Sequence, residues 1–150
     1  MPYMFNDNKT KCDFETTLKG TRTLLWTRTG AETGEIEVDF SGTGISLRDY
    51  TYIDIVTYED IRVTGKSHLF RLDGYDVEDY MLGSDINVTT GAFKVKSRKV
   101  SIKFNNGYNK IVFDNASVAT LKENRESQPG YWEFSNGASD LLPYKIYGII

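Results

Sequence analysis

The chain is poor in the residues that carry most covalent and metal chemistry. It holds one cysteine, Cys12, and one histidine, His68. A lone cysteine excludes an internal disulfide, and no CxxC or Cys/His zinc spacing is present. That usage fits a protein made in a reducing cytosol. One histidine and no nucleophile-elbow sequence leave no recognisable catalytic set. A glycosidase needs two facing carboxylates, and among 21 Asp and Glu no pair stands out. No catalytic residue and no cofactor is therefore assigned. Positive charge is also short: 18 Lys and Arg against 21 acidic residues give a net charge of −3. The basic footprint of a nucleic-acid binder is missing. No apolar run approaches the ~18 residues of a membrane span. The opening MPYMFNDNKTKC is polar after five residues and does not read as a signal peptide. Neither nucleic acid nor membrane is an expected partner.

What is abundant is aromatic. Ten Tyr and eight Phe in 150 residues, with many Thr, Val and Ile, suit a half-buried sheet better than a helix. The length suits one domain. Residues 1–20 read as a polar N-terminal arm and residues 21–150 as the domain.

Along the domain, apolar runs alternate with turn signals. Thr21–Thr27 carries Leu24, Leu25 and Trp26 and reads as a first core strand. After the turn Thr29–Gly34, Ile36, Val38 and Phe40 alternate strictly with Glu35, Glu37 and Asp39. Gly42 and Gly44 mark a turn before Tyr50–Tyr58, a strand buried on most of both faces. Ile61–Val63 and His68–Leu72 are expected to form a hairpin. Asp73–Ser84 reads as an irregular acidic stretch with a helical turn at Val77–Leu82.

In Phe93–Phe104 the apolar phase changes, from Phe93 and Val95 to Val100, Ile102 and Phe104. Strand period is two, so a bulge or bend is expected near Ser97–Lys99. Its basic residues read as the wet face of that strand, with a phosphate-binding strip as the lesser alternative. Asn105-Asn106-Gly107 signals a tight turn, and Lys110–Phe113 returns as a partner strand. Ala116–Glu126 reads as a short helix capped by Asn115, with Val118 and Leu121 facing inward. Tyr131–Phe134 and Tyr144–Ile149 are the last strands. Eight to ten short strands predict an all-β chain: an antiparallel β-sandwich, jelly-roll-like or Greek key, with a short N-terminal arm.

Two segments invite a ligand. Asp73, Asp76, Glu78 and Asp79 are hard oxygen donors, but their spacing misses the EF-hand pattern. A solvated acidic loop is expected, and no metal is assigned. In Tyr131–Asp140, aromatic residues meet polar loop residues. Tyr131, Trp132, Asn136 and Asp140 are the candidate ligand-binding residues, suited to a glycan or a protein interface. Against this, Trp132 and Phe134 at alternate positions are expected to fill the core.

Taken in order, Leu25-Trp26, Ile36–Phe40, Asp49–Tyr58 (DYTYIDIVTY), Arg98–Phe104 and the terminal Pro143–Ile149 (PYKIYGI) form a pattern. It resembles the C-terminal β domains of structural proteins from tailed bacteriophages, especially tail and baseplate proteins of phages of Gram-positive and gut bacteria. The likeness spans roughly residues 24–150, and PYKIYGI is its most specific part. The chain departs from that family in having only about twenty residues ahead of the domain and extra sequence around Asp73–Gly91.

The resemblance implies a non-enzymatic virion structural protein: a repeated tail, baseplate or capsid-decorating subunit, made in the host bacterial cytoplasm. It implies other virion proteins as partners, and a homo-oligomer with a trimer favoured. The alternative is a host receptor- or carbohydrate-binding module at the phage surface, with a host glycan as partner. On either reading the arm, through Tyr3, Met4, Phe5 and Phe14, is the expected assembly anchor. PYKIYGI also reads physically, as a closing core strand in which Gly148 admits a close backbone approach.

Overall fold

Period-two alternation turns into strands throughout the computed structural model, which describes residues 22–58, 66–89, 92–122 and 130–150. Among the described residues nine strands are formed: β1 (Arg22–Thr27), β2 (Ile36–Asp39), β3 (Tyr52–Tyr58), β4 (Lys66–Arg71), β5 (Val77–Thr89), β6 (Ala92–Lys103), β7 (Lys110–Lys122), β8 (Tyr131–Asn136) and β9 (Leu142–Ile149). They make two antiparallel sheets. The first has the order β1-β9-β3-β4 and the second β2-β7-β6-β5, with β8 also paired to β7. The chain changes sheet between β1 and β2, β2 and β3, β4 and β5, and β8 and β9. The architecture is therefore an all-β sandwich. Among the described residues there is no α-helix; one 3-10 turn, Leu47–Asp49, leads into β3.

The two sheets pack through the residues that the alternation selects. Val38, Ile111, Phe113, Val100 and Ile102 from the second sheet meet Ile53, Ile55, Phe70 and Ile146 from the first. Each such side chain contributes about 1.5–3 kcal/mol by leaving water. An edge-to-face contact of Phe70 on Tyr80, with ring centroids 4.9 Å apart, joins β4 to β5 across the sandwich. The terminal strand β9 lies inside its sheet, bonded to β1 on one side and β3 on the other. A Cβ on Gly148 would lie 2.4–2.6 Å from the Tyr50 ring, so the ring rests directly on this backbone.

Some elements differ from the sequence reading. Ala116–Lys122 is not helical: it continues β7, whose pairing with β6 runs from Lys110 to Lys122. Val77–Leu82 is likewise the start of β5, not a helical turn. Both misreadings come from local pattern, which tertiary pairing overrides. The turn at Asn105–Gly107 is present, with φ of 54° at Asn106 and 82° at Gly107, and Tyr108 N–H donating to Asn105 C=O at 3.0 Å. Ile61–Val63 and the arm, with Tyr3, Met4, Phe5 and Phe14, lie outside the described residues.

Candidate binding face on the second sheet

The site begins with a mismatch between strands. Arg98 pairs with Ala116 and Val100 with Phe113, so two steps along β6 match three along β7. A similar break between Leu82 and Asp85 places an extra residue in β5. The irregularity expected near Ser97–Lys99 is there, but the extra residues belong to the neighbouring strands. On β6, buried positions continue in even phase through Arg98, Val100, Ile102 and Phe104. Phe93 and Val95 therefore face the opposite way from the core. This is the physical reason for the phase change: the apolar residues switch faces.

Register carries that outer face across three strands. Phe93 is opposite Leu121, which is opposite Trp132; Val95 is opposite Ala119, which is opposite Phe134. Phe93 and Trp132 touch edge-to-face at 6.1 Å between centroids. Trp132 is 46% exposed and Phe134 72% exposed. The expectation that this pair fills the core is corrected: both lie on a sheet face turned away from it.

Along the same face the next row is Ser97, Ser117 and Asn136. Beyond it the β7 bulge opens a cleft of about 460 Å³. Its walls are Ser97 and Lys99 of β6, Asn115 and Ser117 of β7, Asp114 in the bulge, and Glu35 and Met81 at the flanks. The aromatic rows are thus followed by a polar row and then by this cleft.

Arg98 holds this geometry from the other side. Its side chain is fully buried, which corrects the reading of every basic residue in Lys94–Lys103 as a wet face. The guanidinium donates to the carbonyls of Gly34 and Asp114 at 2.6 Å each, to Ala138 at 3.0 Å, and twice to Asp140 at 3.0 and 2.8 Å. Those carbonyls come from the approach to β2, the β7 bulge and the β8–β9 turn. Burial lowers the Arg98 pKa, and the nearby Asp140 carboxylate is the main opposing influence. Arginine stays charged even so. No local signal in the sequence marked Arg98, because its role depends on carbonyls up to 64 residues away.

The four candidate residues divide between two faces. Trp132 and Asn136 share the outer face. Tyr131 falls on the opposite one, in register with Lys122, which pairs there with Glu133. The Asp140 carboxylate accepts from Lys96 Nζ at 2.6 Å, away from Trp132. Sequence reading missed Phe93, Phe134, Ser117 and Asn115 as members of the face.

Elsewhere, polar groups are engaged structurally. Ser67 hydrogen-bonds the Asp54 carboxylate, which also binds Arg22 at 2.9 Å. His68 points to the other face of β4 and shares a hydrogen bond with Thr57 at 3.0 Å, so Ser67, Asp54 and His68 do not converge. The acidic segment is dispersed: Asp76 accepts the N–H groups of Phe104 and Asn105, Asp73 pairs with Arg71, and Asp79 lies 3.5 Å from Lys99. Among the described residues no three metal-ligating side chains gather. No helix there is long and apolar enough to cross a membrane.

No family model, no curated protein and no solved structure matches the chain.

Proposed function

We propose that this chain is a non-enzymatic structural subunit of a tailed-bacteriophage particle, present in repeated copies, and that it works by binding through the outer face of its second sheet. The observation that carries the binding role is the exposure of Trp132 and Phe134 on one face of a paired strand. Contiguous apolar exposure of this kind marks an interaction surface. Strand pairing fixes the backbone that carries the rings, and Trp132 rests against Phe93, so little backbone freedom is lost on contact. The virion assignment is supported by the likeness of residues 24–150, and above all of PYKIYGI, to phage tail and baseplate domains. Homo-oligomerisation, with a trimer favoured, belongs to the same proposal.

The test is purification of particles from cells that make this chain, followed by electron cryo-microscopy. The expected result is a symmetric array of sandwich-shaped densities. Absence of the chain from purified particles would sink the virion assignment. Light scattering of the isolated protein reads the oligomer, and a strict monomer both there and in the particle refutes the trimer.

A further inference from the structure

We infer that the outer face of the second sheet is a site for a neutral polysaccharide. The inference rests on the reading of that face as the working surface, and adds the chemical class of its occupant. Three observations carry it.

The first is the aromatic spacing. Trp132 and Phe134 stand on one face of β8, separated by one residue, hence roughly 6.8 Å apart along the strand. Two exposed rings in sequence offer flat apolar surfaces to the C–H faces of successive sugar rings. The second is the polar row beside the rings. Ser97, Ser117 and Asn136 supply hydroxyls and an amide, groups that both donate and accept. A polyol needs that dual capacity, because each of its hydroxyls does both. Beyond that row the cleft of about 460 Å³ continues the polar side chains with Asn115, Asp114 and Lys99 on the same face. The third is charge. Among the described residues, Glu35 and Asp114 line the cleft against a single cation, Lys99. Lys99 is itself drawn to Asp79 at 3.5 Å. The excess of carboxylate disfavours a polyanion and leaves a neutral chain as the matching occupant.

The full chain is run in native affinity gels containing dextran, mannan, galactan or glycogen as neutral probes, and dextran sulfate or polygalacturonate as anionic ones. At least one neutral probe should retard the protein, and neither anionic probe should. Trp132→Ala and Phe134→Ala should each weaken retardation about tenfold, the scale of an anchoring aromatic at a binding surface. Tyr131→Ala, on the opposite face, should leave it unchanged. Circular dichroism and melting confirm that each variant is folded, and Phe134→Leu provides a second variant that keeps apolar bulk while removing the ring.

Retardation by a polyanion alone overturns the assignment of class. Retardation indifferent to both Trp132→Ala and Phe134→Ala overturns the assignment of site. If no probe binds but particles show Trp132 and Phe134 buried against a neighbouring protein, the glycan inference fails and the face remains the working surface. If both variants leave particle incorporation and every ligand test unchanged, the underlying reading of the face fails as well.

Discussion

Arg98 shows how one side chain can decide local architecture. A β-bulge turns backbone carbonyls away from the sheet ladder, and a buried carbonyl without a donor costs about 1–3 kcal/mol. Arg98 satisfies the carbonyls of Gly34, Asp114, Ala138 and Asp140 together. Arg98→Met keeps most of the apolar stem but removes every donor. It should destabilise the fold by about 3–5 kcal/mol, the range for breaking a buried charged network, as read by urea unfolding. Arg98→Lys should recover only part of this, because one ammonium cannot span the fan of acceptors. A loss below about 0.5 kcal/mol, the scale of an ordinary surface substitution, would show that the carbonyls find water instead. At the other end of the sandwich, Gly148 is set by contact: any Cβ there meets the Tyr50 ring. Gly148→Ala should cost about 1–3 kcal/mol through overpacking. In a Tyr50→Ala background, Gly148→Ala should be nearly free, because the clash is gone. A full penalty in the double variant would place the cause in the backbone instead.

At the scale of elements, most strands were legible, the long β6 among them as Phe93–Phe104, but the long β5 and β7 were legible only in part. Ile36–Phe40 announces itself because one face is apolar and a turn marks each end, and Tyr50–Tyr58 because it is dense in β formers; the structure places β3 at Tyr52–Tyr58. β7 does not over its whole length, because its bulge at Asp114–Asn115 shifts the phase, and past the bulge Val118 and Leu121, on opposite faces of the strand, have a spacing that imitates a helix. The candidate site was half legible for the same reason. Trp132 and Asn136 share a face by parity alone, but only the register of β6, β7 and β8 decides that this face is turned away from the core. Strand β8 is a place where pH should act. Lys122 of β7 and Glu133 of β8 form an ion pair, and the hydrogen bond to Glu133 raises the Lys122 pKa. A lysine raised in the folded state contributes stability that is fully present below its unfolded value of about 10.4. That contribution is lost as pH rises through the higher folded value. The melting-temperature gap between the parent and Lys122→Gln should be flat from about pH 7 to 9.5 and close above about 10.4. A gap that persists unchanged to about pH 12, beyond the ordinary lysine range, would show that the charge is not its source.

For the whole molecule, the sheet orders predict where stability is concentrated. β9 is bonded along both edges, to β1 and to β3, with Ile146 fully buried. β6 lies between β5 and β7, and Ile111 and Phe113 of β7 are also fully buried. Amides in such positions exchange only through global opening. Among the described residues β8 is bonded along one edge only, to the half of β7 that extends past the bulge, and all six of its side chains are exposed. Local opening of that strand uncovers little apolar surface, so it should require far less than the global free energy. Hydrogen exchange by mass spectrometry should therefore find the amides around Ile146 and Phe113 slowest, at a common rate that shifts together in mild urea. Those of Trp132–Asn136 should exchange at least about 100-fold faster, a gap of roughly 2.7 kcal/mol. The same measurement bears on function, since an occupant lying along β8 closes the strand's weakly protected side. With a retained polysaccharide or a neighbouring subunit in place, protection should rise at Trp132–Asn136 and stay level at Ile146. If β8 already exchanges at the global rate in the isolated chain, its exposed rings are part of the cooperative unit. The outer face would then be a rigid wall of the sandwich and not a separately stabilised platform.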